Sequence, residues 1–162
     1  MNTIMAKLSS YNLFNYLLPG IIFVVILGNI TPYSFIQEDI IVGAFIYYFI
    51  GLVISRFGSL VVEPIIKKVL CIKFAEYKDF VHASKKDSKI DIFSEVNNMY
   101  RTFSSMFVLL LLIKIYQIFS LDILWLNSNK LYILLTVLLI MFLCSYKKQT
   151  SYITKRIKAN NL

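Results

Sequence analysis

Histidine, cysteine, glycine and charge are all scarce in this chain, and each scarcity removes a class of chemistry. His82 is the single histidine among 162 residues, so H-E-x-x-H and other paired-histidine sites cannot be assembled. It does not complete an R-x4-H ribonuclease pattern either, because Tyr77 stands five residues before it. Cys71 and Cys144 form no C-x-x-C pair and no disulfide framework, and read as small apolar fillers. The five glycines make neither G-x-S-x-G nor a phosphate-cradling loop. An enzyme working inside a membrane needs ionisable groups that face one another, and Lys114 is the one ionisable residue well inside an apolar stretch. No enzymatic activity, cofactor or metal is expected. Neither Gly nor Pro occurs between residues 65 and 162, which removes the usual turn punctuation and predicts long helices.

Apolar surface, by contrast, is abundant. Hydrophobic residues make up 58% of the chain, charged residues 16%, and the mean hydropathy is +0.69. A water-soluble domain of this size cannot cover that much apolar surface. Four stretches, about 11–30, 39–58, 102–121 and 130–147, reach the roughly 20 apolar residues a bilayer requires. The first resembles a signal peptide, but its apolar run is long and no A-x-A site follows Gly28, so it reads as a retained helix. The expected fold is all-α: one domain over 1–162, an integral membrane protein with four transmembrane helices. A basic cytoplasmic helical hairpin, the extension 59–101, lies between helices 2 and 3.

Charge placement predicts orientation. Residues 31–39 hold two acids and no Lys or Arg, and the connection near 122–130 holds Asp122 and Lys130. Fifteen of the seventeen positive residues fall at Lys7, within 55–101, or in the tail from Lys147. The excess of positive charge on cytoplasmic loops then puts both termini and 55–101 on the cytoplasmic side of the membrane. With a net charge of +8, the polar parts suit anionic partners.

Gly43, Gly51, Ser55 and Ser59 fall at multiples of four on the second span, with Tyr47 filling the missing place. In lipid such a stripe lets helix backbones approach, either within the chain or between copies. Pro64 suits the first turn of a new helix, with Glu63 near its positively polarised start. Apolar residues at spacings of three and four predict an amphipathic helix from Pro64 to about Ala83, a turn over 84–89, and a helix running from Ser88–Asp91 into the third span. Lys67, Lys68, Lys85, Lys86, Lys89, Arg101, Lys147 and Lys148 either flank the spans or form an anion site, with Tyr77 or Tyr100 able to stack on bases. Anionic headgroups are attracted to the same charges. Pro19-Gly20 predicts a kink in the first helix. Asn12 and Asn15 there, and Lys114 and Gln117 on the third, read as pore-lining residues of an oligomer, unless Lys114 simply snorkels outward.

The segments YNLFNYLLPGIIF, SRFGSLVVEP and SEVNNMYRTF resemble small four-span effectors of bacterial phage-defence operons. The likeness is first to the membrane effector of Hailong-type systems and second to the membrane component of Kiwa. The first resemblance implies an oligomeric channel held shut by a short single-stranded DNA oligomer, made by an operon-encoded nucleotidyltransferase. Loss of the oligomer during infection would open the channel. No site residue is carried over from that resemblance. The sequence thus predicts a homo-oligomeric channel, tetramer preferred, gated by a cytoplasmic anion. The alternative is a membrane anchor that recruits a cytoplasmic partner through its basic segment.

Overall fold

The computed structural model describes residues 11–160; Lys7, counted above with the cytoplasmic charges, lies outside them. The described residues are helical and contain no strand. The helices are α1 (Leu13–Ile30), α2 (Ile40–Val69), α3 (Tyr77–Lys86), α4 (Lys89–Asp122), α5 (Leu124–Ser128) and α6 (Lys130–Asn160). Four of them, α1, α2, α4 and α6, are long and apolar enough to cross a membrane. At 1.5 Å per residue, the 34 residues of α4 reach about 51 Å, well beyond a hydrocarbon layer of about 30 Å. Its first turns therefore stand clear of the apolar band.

Two prolines sit inside long helices, and the chain accommodates both in the same way. Proline removes an N–H and crowds the preceding turn. Before each one the helix widens into a π segment, Leu13–Leu17 before Pro19 and Gly58–Val62 before Pro64. The Leu18 N–H reaches back to the Leu13 carbonyl, and the Glu63 N–H to the Gly58 carbonyl. Pro64 thus lies within one continuous helix rather than opening a new one. At Pro19 the feature read from sequence as a kink is this π segment.

The stripe of small residues finds its partners within the chain. A Cβ on Gly51 would meet the Tyr16 carbonyl oxygen at 1.7 Å, and a Cβ on Gly20 would meet the Tyr47 carbonyl oxygen at 1.9 Å. Each glycine thus seats the carbonyl of the residue four places before the other, and the two antiparallel helices cross backbone to backbone. Gly58 takes the Ser105 hydroxyl of α4, whereas the atoms nearest a Cβ on Gly43 are side-chain atoms of Tyr47 and Gln37. Around the crossing pack Phe23, Val24 and Leu27 of α1, Ile54 of α2, and Met106 and Leu110 of α4. A polar knot fastens the same three helices. Thr102 Oγ1 lies 2.9 Å from Asn15 Oδ1 and 3.4 Å from Ser55 Oγ, and all three side chains are buried.

These contacts run α1 and α4 parallel, and α2 antiparallel to both. The helix α6 follows α2, touching it through stacked Phe49 and Phe142 and through Ser59 and Lys148. It is the least covered of the four, with 11% of its apolar window buried against 33% for α1.

The segment after Pro64 departs from the expected single helix over 64–83. The helix stops at Val69, Cys71 takes a left-handed φ of 51°, and the Ile72 N–H bonds to the Lys67 carbonyl at 3.1 Å. This is a six-to-one helix stop, usually built on glycine. Cys71 is exposed, so it is no apolar filler, and neither is Cys144. An extended stretch leads to α3, whose Val81 is fully buried and whose Tyr77 ring lies 6.1 Å from that of Tyr152 on α6. The turn to α4 is tighter than 84–89, since α3 runs through Lys86 and Asp87 Oδ1 accepts from the Lys89 N–H at 2.9 Å.

Candidate anion site at the basic end

The π segment leaves a debt in the backbone, and a lysine settles it. In an i to i−5 pattern the Ser59 carbonyl would accept from residue 64, but Pro64 has no N–H. The Lys148 ammonium of α6 takes that carbonyl instead and also bonds Ser59 Oγ at 2.8 Å. A buried carbonyl without a donor is costly, so this contact pins α6 to α2. One turn on, Glu63 holds two cations: Oε1 lies 2.6 Å from Lys67 Nζ and Oε2 lies 2.8 Å from Arg101 Nη1. The bond to Arg101 ties α2 to α4. Lys67 also sits 3.9 Å above the Phe74 ring, which holds the extended stretch against the cluster.

Lys67, Arg101 and Lys148 therefore converge around one carboxylate, just beyond the apolar bands 39–58 and 130–147, and Arg56, at the end of the first band, adds its charge beside Lys148. Burial pushes Glu63 upward, but hydrogen bonds from Lys67 and Arg101 and the charges of Arg101 and Lys148 outweigh it, holding the carboxyl below its usual range. Lys148 is lowered, first by burial and then by Arg101, Lys67 and Arg56, with Glu63 acting in the opposite direction. The cluster keeps an excess of positive charge that one carboxylate does not neutralise.

Beside it lies a pocket lined by Arg56, Ser59, Leu60, Ser145, Lys148, Gln149 and Tyr152. Arg56 makes one long contact, 3.5 Å to the Tyr16 hydroxyl. Ser145 Oγ and Arg101 Nε are buried without partners among the described residues.

Of the eight expected anion ligands, Lys67, Arg101 and Lys148 come together. Lys68, Lys85, Lys86, Lys89 and Lys147 are exposed and lie outside this cluster. The residues grouped as pore lining divide. Asn15 is buried in the knot with Thr102, and Asn12 is half-buried one turn before Tyr16. Lys114 donates to the Ile30 carbonyl at 2.7 Å and to Gln117 Oε1 at 3.1 Å, so it caps the last turn of α1 with charge of the favourable sign. It lies about 18 Å along α4 from Thr102. Asn15 and Lys114 thus serve opposite ends of one three-helix contact.

Sequence reasoning passed over Gly20, Glu63, Ser145, Gln149 and Tyr152 as site residues. Glu63 carried a signal: it is a lone acid between an apolar run and a lysine pair, four residues before Lys67. Arg56, one of the positive residues within 55–101, takes its place in the pocket. Comparison with family models, curated proteins and solved structures finds no match to this chain. The four apolar helices are consistent with a multi-pass membrane protein.

Proposed function

We propose that the chain is an oligomeric membrane channel effector of the bacterial inner membrane, gated at its basic cytoplasmic end by a polyanion such as a short oligonucleotide. The observation that carries this reading is α4. One unbroken helix brings Arg101 into the cation cluster and Lys114 to the far end of α1. A ligand that draws on Arg101 acts on a rod whose other end holds Lys114 and Gln117. Gating follows only if the ligand prefers one arrangement of that rod, because equal affinity for both shifts nothing. The exposed faces of α4 and α6, with Leu111, Ile118, Leu135 and Leu139, offer surface to lipid and to neighbouring copies. Phage defence, the partner nucleotidyltransferase and the tetramer remain part of the proposal through the sequence resemblance.

A second reading, the anchor for a cytoplasmic partner, is favoured by one observation. Asn15 and Lys114 have full structural employment within a single chain and need no pore to explain them. Liposome flux separates the two. Purified protein in vesicles should pass ions in a way that changes when a short single-stranded oligonucleotide is added on the basic side. Absence of flux both with and without the oligonucleotide sinks the channel and leaves the anchor.

A further inference from the structure

The donors lining the pocket between α2 and α6 exceed the acceptors that occupy them. The Arg56 guanidinium carries five N–H groups and makes one long contact among the described residues. The Lys148 ammonium has three and uses two of them, both on Ser59. The Ser145 hydroxyl is buried with no partner among the described residues. Gln149 and Tyr152 add an amide and a phenol to the wall, and no lining residue is a carboxylate. The nearest one, Glu63, already has both oxygens engaged by Lys67 and Arg101. A concave site with two cations, a vacant hydroxyl and no competing acid has the chemistry of a tetrahedral, multiply accepting anion.

We infer that this pocket binds a single phosphate ester group, held by Arg56 and Lys148 with Ser145 donating from the wall. The Lys148 ammonium stands over the Tyr152 ring, 5.9 Å from its centroid, so that ring, packed in turn against Tyr77, holds the ammonium at the pocket wall. The proposal rests on the reading of the basic end as anion-binding, and it narrows that reading from a diffuse lysine surface to one pocket. Exposed Lys85 and Lys86 supply long-range attraction in this account, not contact. The pocket sits at the rim of the apolar band, so the phosphate can belong to a lipid headgroup or to a soluble nucleotide ester.

The test uses full-length protein in nanodiscs and a 5′-phosphorylated deoxythymidine tetramer with a 3′ fluorophore, read by anisotropy. Ser145→Leu fills the pocket without changing charge, and Arg56→Gln removes one cation; each should weaken binding tenfold or more. Lys148→Gln should do the same, with Lys148→Arg recovering most of the affinity, which separates binding from the pinning of α6. Lys85→Gln with Lys86→Gln should change affinity less than threefold. Nanodiscs containing phosphatidylglycerol in place of phosphatidylcholine distinguish the sources. If that lipid displaces the tetramer from wild type but not from Ser145→Leu, the occupant is a headgroup; if it does not displace it, the occupant is a soluble ester. Wild-type affinity in both Ser145→Leu and Arg56→Gln overturns the pocket. If the Lys85/Lys86 pair then loses binding, the polyanion reading survives alone; if wild type binds neither probe, both fall.

Discussion

The Gly20–Gly51 crossing permits the sharpest test of the packing, because the same substitution should act with opposite signs at two sites. In Gly51→Ala the new methyl would stand 1.7 Å from the Tyr16 carbonyl oxygen and 2.5 Å from its carbon. An ordinary carbon–oxygen contact is about 3.3 Å or more, so α1 and α2 must part by about 1.6 Å. Both obstructing atoms are backbone, and no rotamer change relieves them. Overpacking of this kind costs about 3 kcal/mol, and the better helix propensity of alanine returns about 1, leaving a net loss near 2 kcal/mol. Gly20→Ala meets the Tyr47 carbonyl at 1.9 Å and should lose as much. Gly28→Ala is the control: nothing lies within 4 Å of its new methyl, so it should be neutral or gain up to about 1 kcal/mol. The double variant is more telling than either single one. Once the helices have parted for one methyl, the second is largely accommodated, so the pair should fall short of additivity by about 1 kcal/mol or more. Equilibrium unfolding in mixed micelles, followed by circular dichroism, measures all four. Equal stabilities for Gly51→Ala and Gly28→Ala would refute the backbone crossing, and strict additivity would refute the shared contact.

Three further outcomes are expected. Lys114→Met should lose about 1 kcal/mol in the same unfolding assay, with Lys114→Arg losing less, because the cap on the Ile30 carbonyl needs a cation; equal losses would count against it. Cys71→Gly should stabilise by about 1 kcal/mol, since the left-handed φ of 51° costs a side-chain-bearing residue and not glycine; a loss would contradict that backbone. With Cys71 and Cys144 changed to serine, single cysteines at Ser34 and Ser128 should label from outside the cell and one at Ser88 only after permeabilisation; the reverse pattern overturns the orientation.

Helix number and extent were legible because apolar length and the scarcity of breakers read directly along the chain. The stop at Val69 was not, because Cys71 performs a glycine's task and no local residue announces it. Spacing exposed the stripe on α2, but Gly20 looked like half of a kink signal, and only the tertiary crossing makes it the partner of Gly51. Position was the missing quantity at the basic end. Lys67, Arg101 and Lys148 meet because of how α2, α4 and α6 pack, while Lys85 and Lys86 carry equal charge and lie outside the cluster. The contact of Lys148 with Ser59 depends on a carbonyl freed by a proline five residues on, which no charge count reveals. Lys114 looked anomalous in sequence because the carbonyl it caps is 84 residues away.

The polar knot also bears on how the protein is made. The α1–α2 crossing involves the first part of the chain alone and can close before α4 has been synthesised. During that interval Asn15 Oδ1 and Ser55 lack Thr102, while Asn15 Nδ2 keeps only the Tyr11 hydroxyl, and in a bilayer an amide oxygen without its donor would be costly. The unfinished protein therefore carries a polar scar at the place where its third long helix is due, and the arrival of α4 erases it. A membrane protease that recognises such polarity would spare completed chains and remove stalled ones. A chain ending at residue 76 should be cleared from cells faster than its Asn15→Leu version, and equal lifetimes would show that the seat goes unread.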